Sequence, residues 1–320
     1  MPSPRMTRRA RLRADIERTR LLAAALPADR ELGPPIPPPL PPGATVTLPG
    51  RGETFIRVQD GPEGALPVLL LHGWTASGDT NWFATFPALS PHHRAVSIDH
   101  RGHGRGMRPE APFSLEDCAD DCAALLDELG IPEAILVGYS MGGPIALLTA
   151  QRHPSKVAGL VLCATALEWK GGLLARWQWR FLSVMEWGMR RGKGDSLIAR
   201  WMHYASTVNP SLSPYRAWLA GEVRRATPAD IVGAGRALSQ YDFRPFAGAV
   251  RAIPSSVVFT TRDRLVKRRQ QRALIDALGS EVFEIAADHD ACVVAPEAFG
   301  AVVVAAITSV ATRAARVRNR

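Results

Sequence analysis

Cysteine is scarce in this chain of 320 residues: Cys118, Cys122, Cys163 and Cys292 are the only four, and their spacing has none of the pairing of a disulfide framework. That excludes the small secreted domains held together by disulfides and points to a reduced compartment. Cys118 and Cys122 lie four apart, on one face of an expected helix, but no histidine or second cysteine pair accompanies them. Buried small side chains are the expectation, and no metal is assigned. Long apolar runs are also missing, since none reaches the ~18–20 residues needed to span a bilayer. The nearest, Phe299 to Ala311, reads as a terminal helix packed on the domain. Arg, Asp and Glu interrupt the apolar residues of the basic N-terminus, so it does not form the core of a signal peptide. A cytoplasmic protein is expected.

The chain also lacks charge where a polyanion channel would need it. Its formal net charge is +9, yet residues 1–30 hold eight Arg against Asp15, Glu17 and Asp29, and residues 311–320 add four more Arg. Residues 31–310 are therefore neutral, and no nucleic-acid partner is expected. The arms read as solvated. The partner surface they suggest is a weak peripheral contact with an anionic membrane through residues 6–26. The whole chain is 46% hydrophobic and 22% charged, ordinary for a globular protein with a sizeable core.

Residues 6–26 can form a helix with Leu12, Ile16, Leu22 and Leu26 near one face. The run GPPIPPPLPPG, residues 33–43, lacks most backbone donors and reads as an extended spacer. A domain begins near residue 44, where strand and helix signals alternate: strands at Thr54–Val58, Val68–His72 and Arg94–Asp99, a helix Ser114–Leu129 capped by Ser114, then a strand Ala134–Tyr139. A helix Met141–His153 and a strand Val157–Cys163 follow. This alternation predicts an α/β fold with a mostly parallel sheet and helices on both faces. It breaks from Thr165 to about Arg244, then resumes with a strand Ser256–Thr261, a helix Lys267–Leu278, a strand Val282–Ala286 and the final helix. The expected organisation is an N-terminal helix and spacer at 1–43, a core at 44–164 and 245–320, and an inserted helical cap at 165–244. The cap holds six of the eight Trp (169, 177, 179, 187, 201 and 218).

The most specific motif is Gly138-Tyr139-Ser140-Met141-Gly142-Gly143, between an apolar strand and an apolar helix. This is the setting of a nucleophile elbow, in which a sharp turn holds the serine out at the carboxyl end of the sheet. Side chains at positions 138 and 142 would collide with neighbouring backbone, so both are glycine. A serine hydroxyl is a poor nucleophile at neutral pH and needs a base, and the base needs a partner that fixes its tautomer. His289, in AADHDAC after the last strand, is the only histidine downstream of Asp263, which lies in TTRDRLV after the preceding strand. His289 is assigned as base and Asp263 as acid, with Asp242 the competing acid and Asp288 and Asp290 too close in sequence to reach the far ring nitrogen. His72 reads as a turn residue, His92, His93 and His153 as exposed loop or helix-end residues, and His203 as a residue that lines the cap. His100 and His103 fall in a glycine-rich loop, DHRGHGRG. The oxyanion of acyl transfer needs backbone N–H donors, assigned to Met141 and Trp74.

Together LHGW, DHRGHGRG, GYSMGG, the TTRDRLV aspartate and the DHDAC histidine resemble the α/β-hydrolase family over about residues 45–310, in particular its capped serine esterase and lipase-like branch. The resemblance implies an eight-stranded sheet, a helical cap, no cofactor and a small-molecule ester as substrate. A serine in the elbow argues against the relatives that use aspartate there to open epoxides or displace halide. Thioesterase, lactonase, C–C hydrolase, acyltransferase and cofactor-free peroxidase chemistry remain open, as does a binding protein on a hydrolase scaffold. The residues before 44 and Asp288, where glycine is common, depart from the family pattern.

Overall fold

Strands covered on both faces must be apolar along their whole length rather than at every second residue. The central runs of this chain meet that requirement. The computed structural model describes residues 34–169 and 204–318, with Glu17, Trp187 and Arg200 as isolated positions. The expected N-terminal helix, Trp177, Trp179, Trp201 and His203 lie outside the described residues. Eight strands form one sheet: β1 (Gly43–Leu48), β2 (Gly52–Gln59), β3 (Val68–Leu71), β4 (Ala95–Ile98), β5 (Ala134–Tyr139), β6 (Val157–Cys163), β7 (Ser255–Thr260) and β8 (Glu281–Ile285). Their order is β1-β2-β4-β3-β5-β6-β7-β8. The β1–β2 and β2–β4 pairs are antiparallel and all others are parallel. The described helices are α1 (Gly78–Trp82), α2 (Phe86–Leu89), α3 (Leu115–Glu128), α4 (Gly142–Arg152), α5 (Arg216–Val223), α6 (Pro228–Gln240), α7 (Ala247–Val250), α8 (Arg268–Leu278), α9 (Ala291–Val294) and α10 (Pro296–Arg318). The chain thus adopts the expected eight-stranded, mostly parallel sheet flanked by helices.

Strand alternation divides the interior in two. Leu69, Leu71, Val96, Ile98, Leu136 and Leu160 look to one side, where they cluster with Leu125, Ile145 and Leu274. Val68, Leu70, Ala95, Ile135, Val137 and Val161 look to the other and cluster with Trp82, Phe299 and Ile307. All four cysteines are buried and free, with Cys118 and Cys122 the buried small side chains expected of them. Ser114 caps α3, its hydroxyl accepting from the Asp117 N–H at 3.1 Å.

Three local expectations change. β1 is an additional strand, mostly exposed at the sheet edge, where pairing with β2 supplies order that no apolar run announces. α10 extends to Arg318 because a solvent-facing helix end tolerates Arg. It is the one described helix long and apolar enough to cross a membrane by length and composition; here Phe299, Val303, Ile307 and Val310 are buried and it packs on β6, β7 and β8. His93 is buried rather than exposed, its Nδ1 3.0 Å from the Leu66 carbonyl oxygen, because the segment at Gly61 closes over its backbone.

Between β6 and β7 the chain leaves and re-enters the sheet through one stem. Glu168 and Asp242 form an antiparallel bridge, flanked by Phe243 N–H to Leu167 O at 2.8 Å and Trp169 N–H to Tyr241 O at 3.1 Å. The described part of the excursion is helical, including α5, α6 and residues 204–208. Several side-chain contacts tie it to the loops at the carboxyl ends of the strands. Glu222 of α5 accepts from Arg105 Nη2 at 2.6 Å and from Ser77 Oγ at 3.1 Å. The Trp74 indole donates to the Ile231 carbonyl of α6 at 2.8 Å.

Candidate active site

The chain turns from β5 into α4 within two residues, and Ser140 takes the strain with φ of +53°. A left-handed backbone costs an L-residue about 1–2 kcal/mol, and such strain persists where surrounding contacts fix it. Here Ser140 N–H donates to Cys163 O at 2.9 Å, while Ser140 O accepts from Gly143 N–H at 3.0 Å and from Thr165 Oγ1 at 2.8 Å. The two elbow glycines are steric requirements. A Cβ on Gly138 would lie 2.3 Å from Gly142 O, and one on Gly142 would lie 2.2 Å from Leu71 O.

β7 and β8 are parallel to β5, so the loops that follow them open on the same side as Ser140. His289 Nε2 stands 2.9 Å from Ser140 Oγ and His289 Nδ1 stands 2.9 Å from Asp263 Oδ2. Asp263 is fully buried at its side chain, while His289 keeps 21% exposure. The acid is held firmly: Oδ1 accepts from Leu265 N–H at 2.9 Å and Val266 N–H at 2.7 Å, and Oδ2 also accepts from Thr260 Oγ1 at 2.9 Å. Asp242 is bound to Arg244 instead, at 2.8 and 2.6 Å. Asp288 has its own task, since its Oδ1 accepts from Arg264 N–H at 3.0 Å and His289 N–H at 2.8 Å, joining the acid and histidine loops.

Met141 is the N-cap residue of α4, and the loop after β3 lies against Ser140, with space for a Gly73 Cβ only 3.2 Å from Ser140 Cβ. His72, read as a simple turn residue, is buried beneath this loop. Its Nε2 accepts from His100 N–H at 2.9 Å, so its proton sits on Nδ1 and is donated to Gly73 O at 2.8 Å. In a trans peptide the N–H points opposite the carbonyl. The Trp74 N–H therefore points away from His72. Four further residues with no site role assigned from sequence hold the site: Asn81, whose Oδ1 accepts from Gly73 N–H at 2.7 Å; Asp288; Cys292; and Tyr139, whose hydroxyl donates to His289 O. Among the described residues no group of three or more His, Cys, Asp or Glu could hold a metal ion.

The glycine-rich loop beside the site carries an electrostatic load. His72, His100 and His103 are fully buried, with ring centroids of His72 at 4.5 Å from His100 and 5.5 Å from His103. Burial pushes all three below the usual imidazole range, His100 to about 3 and His103 to about 4. Both ring nitrogens of His100 lack a hydrogen-bond partner. Because these rings bind protons less readily folded than unfolded, their contribution to stability is present above the unfolded value and is lost as pH falls toward 3–4. Asp99 opposes them: burial pushes it up to about 6, so it takes up a proton in the fold as pH falls through 6. Three rings outweigh one carboxyl. Unfolding free energy is expected to fall between pH 6.5 and 4.5, by on the order of 2 kcal/mol from each of His100 and His103 with His72 adding in the same direction, offset by about 2 kcal/mol from Asp99. His100→Leu should flatten this limb by about 2 kcal/mol in urea titrations at the two pH values. An unchanged limb would show that His100 is not buried neutral.

A family model of the alpha/beta hydrolase fold matches residues 67–296. The chain belongs to the α/β-hydrolase fold family. Among curated proteins it is similar to the dihydrolipoyllysine-residue acetyltransferase component of the acetoin cleaving system of Pseudomonas putida, 39% identical over 107 residues that make up 33% of this chain and 28% of that protein. The chain thus spans less than a third of the length of this relative. Among solved structures it resembles an enol-lactonase from Burkholderia xenovorans LB400 (TM-score 0.66, 25% identity, 83% of this chain and 100% of the other). It also resembles an esterase from Exiguobacterium antarcticum in fold (TM-score 0.70, 20% identity, 84% and 100%).

Proposed function

We propose that this protein is a serine hydrolase that cleaves a carboxylic ester through an acyl-enzyme on Ser140. The observation that carries the reading is the aligned series of two 2.9 Å contacts from Ser140 Oγ through His289 to Asp263. As Ser140 Oγ attacks the ester carbon, His289 Nε2 takes its proton, and the imidazolium that forms is stabilised by Asp263 through Nδ1–H. The oxyanion receives hydrogen bonds from the N–H groups of Trp74 and Met141. Collapse returns the proton from His289 to the departing alcohol. Water then repeats the cycle on the acyl-enzyme and releases the acid, with no cofactor required.

An apolar or aromatic acyl group suits the tryptophan-rich insertion. Trp218 itself is committed to packing, buried edge-to-face against Phe83 at a centroid distance of 6.1 Å, so the acyl preference rests on the remaining aromatic residues. A panel of p-nitrophenyl esters of increasing chain length, with a thioester and a peroxidation assay alongside, tests the reading. Ester turnover that rises with apolar chain length is expected. Turnover of the thioester or of peroxide with no ester hydrolysis would replace the ester by that other triad chemistry, and silence in all three would favour a binding protein.

A further inference from the structure

Glycine is the least constrained residue of a chain, so a loop that presents an N–H donor immediately after Gly73 needs restraint from elsewhere. The Gly73 carbonyl is held by His72, and its N–H is held by Asn81. Asn81 is 6% exposed. A buried amide of this kind costs free energy unless its polar atoms are matched. Here the matching fixes the orientation of the group: Oδ1 takes the Gly73 N–H at 2.7 Å and Nδ2 donates to Cys292 Sγ at 3.3 Å. The flipped amide would set Nδ2 against the Gly73 N–H, donor facing donor. Cys292 lies three residues beyond His289 and is buried. The Tyr139 hydroxyl donates to the carbonyl of His289.

We infer that Asn81 is a positioning residue for the oxyanion loop and that its bond to Cys292 couples that loop to the one carrying His289, whose carbonyl Tyr139 holds from the end of β5. The inference rests on the acyl-enzyme reading above. The connections run Gly73 N–H to Asn81 Oδ1 and Asn81 Nδ2–H to Cys292 Sγ, three residues past His289, while Tyr139 O–H donates to His289 O. They join the loop after β3, the end of β5 and the loop after β8 through buried groups. Networks of this kind restrain geometry more than their pairwise contacts suggest. None of these three residues touches the reacting atoms in the proposed mechanism. Their effect is on where the Trp74 N–H and the His289 ring stand.

Misplacing a catalytic group by about 1 Å costs on the order of 10²-fold in rate, and losing an oxyanion donor costs about 10²–10³-fold. With active sites counted by fluorophosphonate titration, Asn81→Ala and the volume-conserving Asn81→Leu should therefore lower kcat by roughly 10–100-fold with KM within about threefold. Affinity for a trifluoromethyl ketone transition-state analogue should fall in parallel with kcat/KM, a change that a merely structural role would not produce. Cys292→Ser, which keeps a donor and acceptor at that position, should retain kcat within about threefold, whereas Cys292→Ala should lower it further and move the acid limb of kcat/KM. Exchange of the Gly73 amide hydrogen, followed by NMR, should accelerate about tenfold or more in Asn81→Leu. Unchanged kcat and ketone affinity in folded Asn81→Leu would overturn the inference, even with a lower Tm. Should wild-type protein neither label nor hydrolyse esters, the acyl-enzyme reading fails separately, and an unaltered Gly73 exchange rate would still defeat the assignment of Asn81.

Discussion

Replacing Ser140 by alanine is expected to abolish covalent labelling by a fluorophosphonate probe and to lower ester turnover by about 10⁶-fold, the scale of losing a triad nucleophile. The fold should survive the change. Ser140 is held in its left-handed conformation by backbone bonds to Cys163 and Gly143 and by the Thr165 hydroxyl, none of which uses the serine side chain. Alanine keeps the Cβ, and the one side-chain contact removed is that to His289 Nε2 at 2.9 Å. Any residual catalysis, on the order of 10³–10⁴ over water, would come from the oxyanion donors and binding alone. The measurement is gel-based labelling beside a thermal melt and an ester progress curve. Persistent labelling of a well-folded Ser140→Ala protein would move the nucleophile elsewhere.

The elbow was legible in the sequence because its cause is local. A serine between an apolar strand and an apolar helix, with glycine two positions to each side, has few other uses, and the 2.2–2.3 Å clearances at Gly138 and Gly142 give the steric reason. The positions of Asp263 and His289 were legible for a topological reason: residues just past parallel strands share one end of the sheet. What escaped was set by distance along the chain. Asn81 meets Cys292 across 211 residues, and nothing in the spacing of either residue points to the other. Asp288 read as a departure from the family pattern, and its reason appears only where the acid and histidine loops meet. β1 was missed because an exposed edge strand needs no apolar run.

DHRGHGRG shows the same division between local and distant causes. Its glycines read correctly as a tight loop, but its charged residues act at long range. Asp99 accepts from Gly78 N–H and Arg105 N–H, both at 2.7 Å, and so fixes the start of α1 to the loop after β4. Arg105 then reaches Asp79 at 3.2 Å and Glu222 of the inserted helices at 2.6 Å. Asp79 and Glu222 are almost fully buried, a setting in which removing one partner strands the other charge. The loop therefore joins α5 to the start of α1, just after the loop that follows β3. Sequence alone displayed the charges without their partners.

The residue proposed as acid, Asp263, offers the sharpest test of the site as a whole. Asp263→Asn is expected to lower kcat by about 10³–10⁴ with little change in KM, as when a triad aspartate is neutralised in the serine-protease case. The hydrogen bonds around residue 263 give the reason. The N–H groups of Leu265 and Val266 both need an acceptor at the position of Oδ1. An asparagine would turn its oxygen toward them, leaving its amide N–H₂ facing His289 Nδ1, where Oδ2 now accepts at 2.9 Å. The imidazole would then have to accept at Nδ1 and carry its proton on Nε2, toward Ser140 Oγ. In that tautomer it cannot take the serine proton, and the charge that would stabilise the imidazolium is gone as well. Asp242→Asn should cost less than about tenfold, since Asp242 pairs with the largely exposed Arg244, and such surface pairs contribute at most about 1 kcal/mol. Steady-state kinetics of both variants on the best ester decides between the two carboxylates. A crippled Asp242→Asn beside a mild Asp263→Asn would place the acid at the stem of the insertion and leave the His289 contact to Asp263 without a catalytic role.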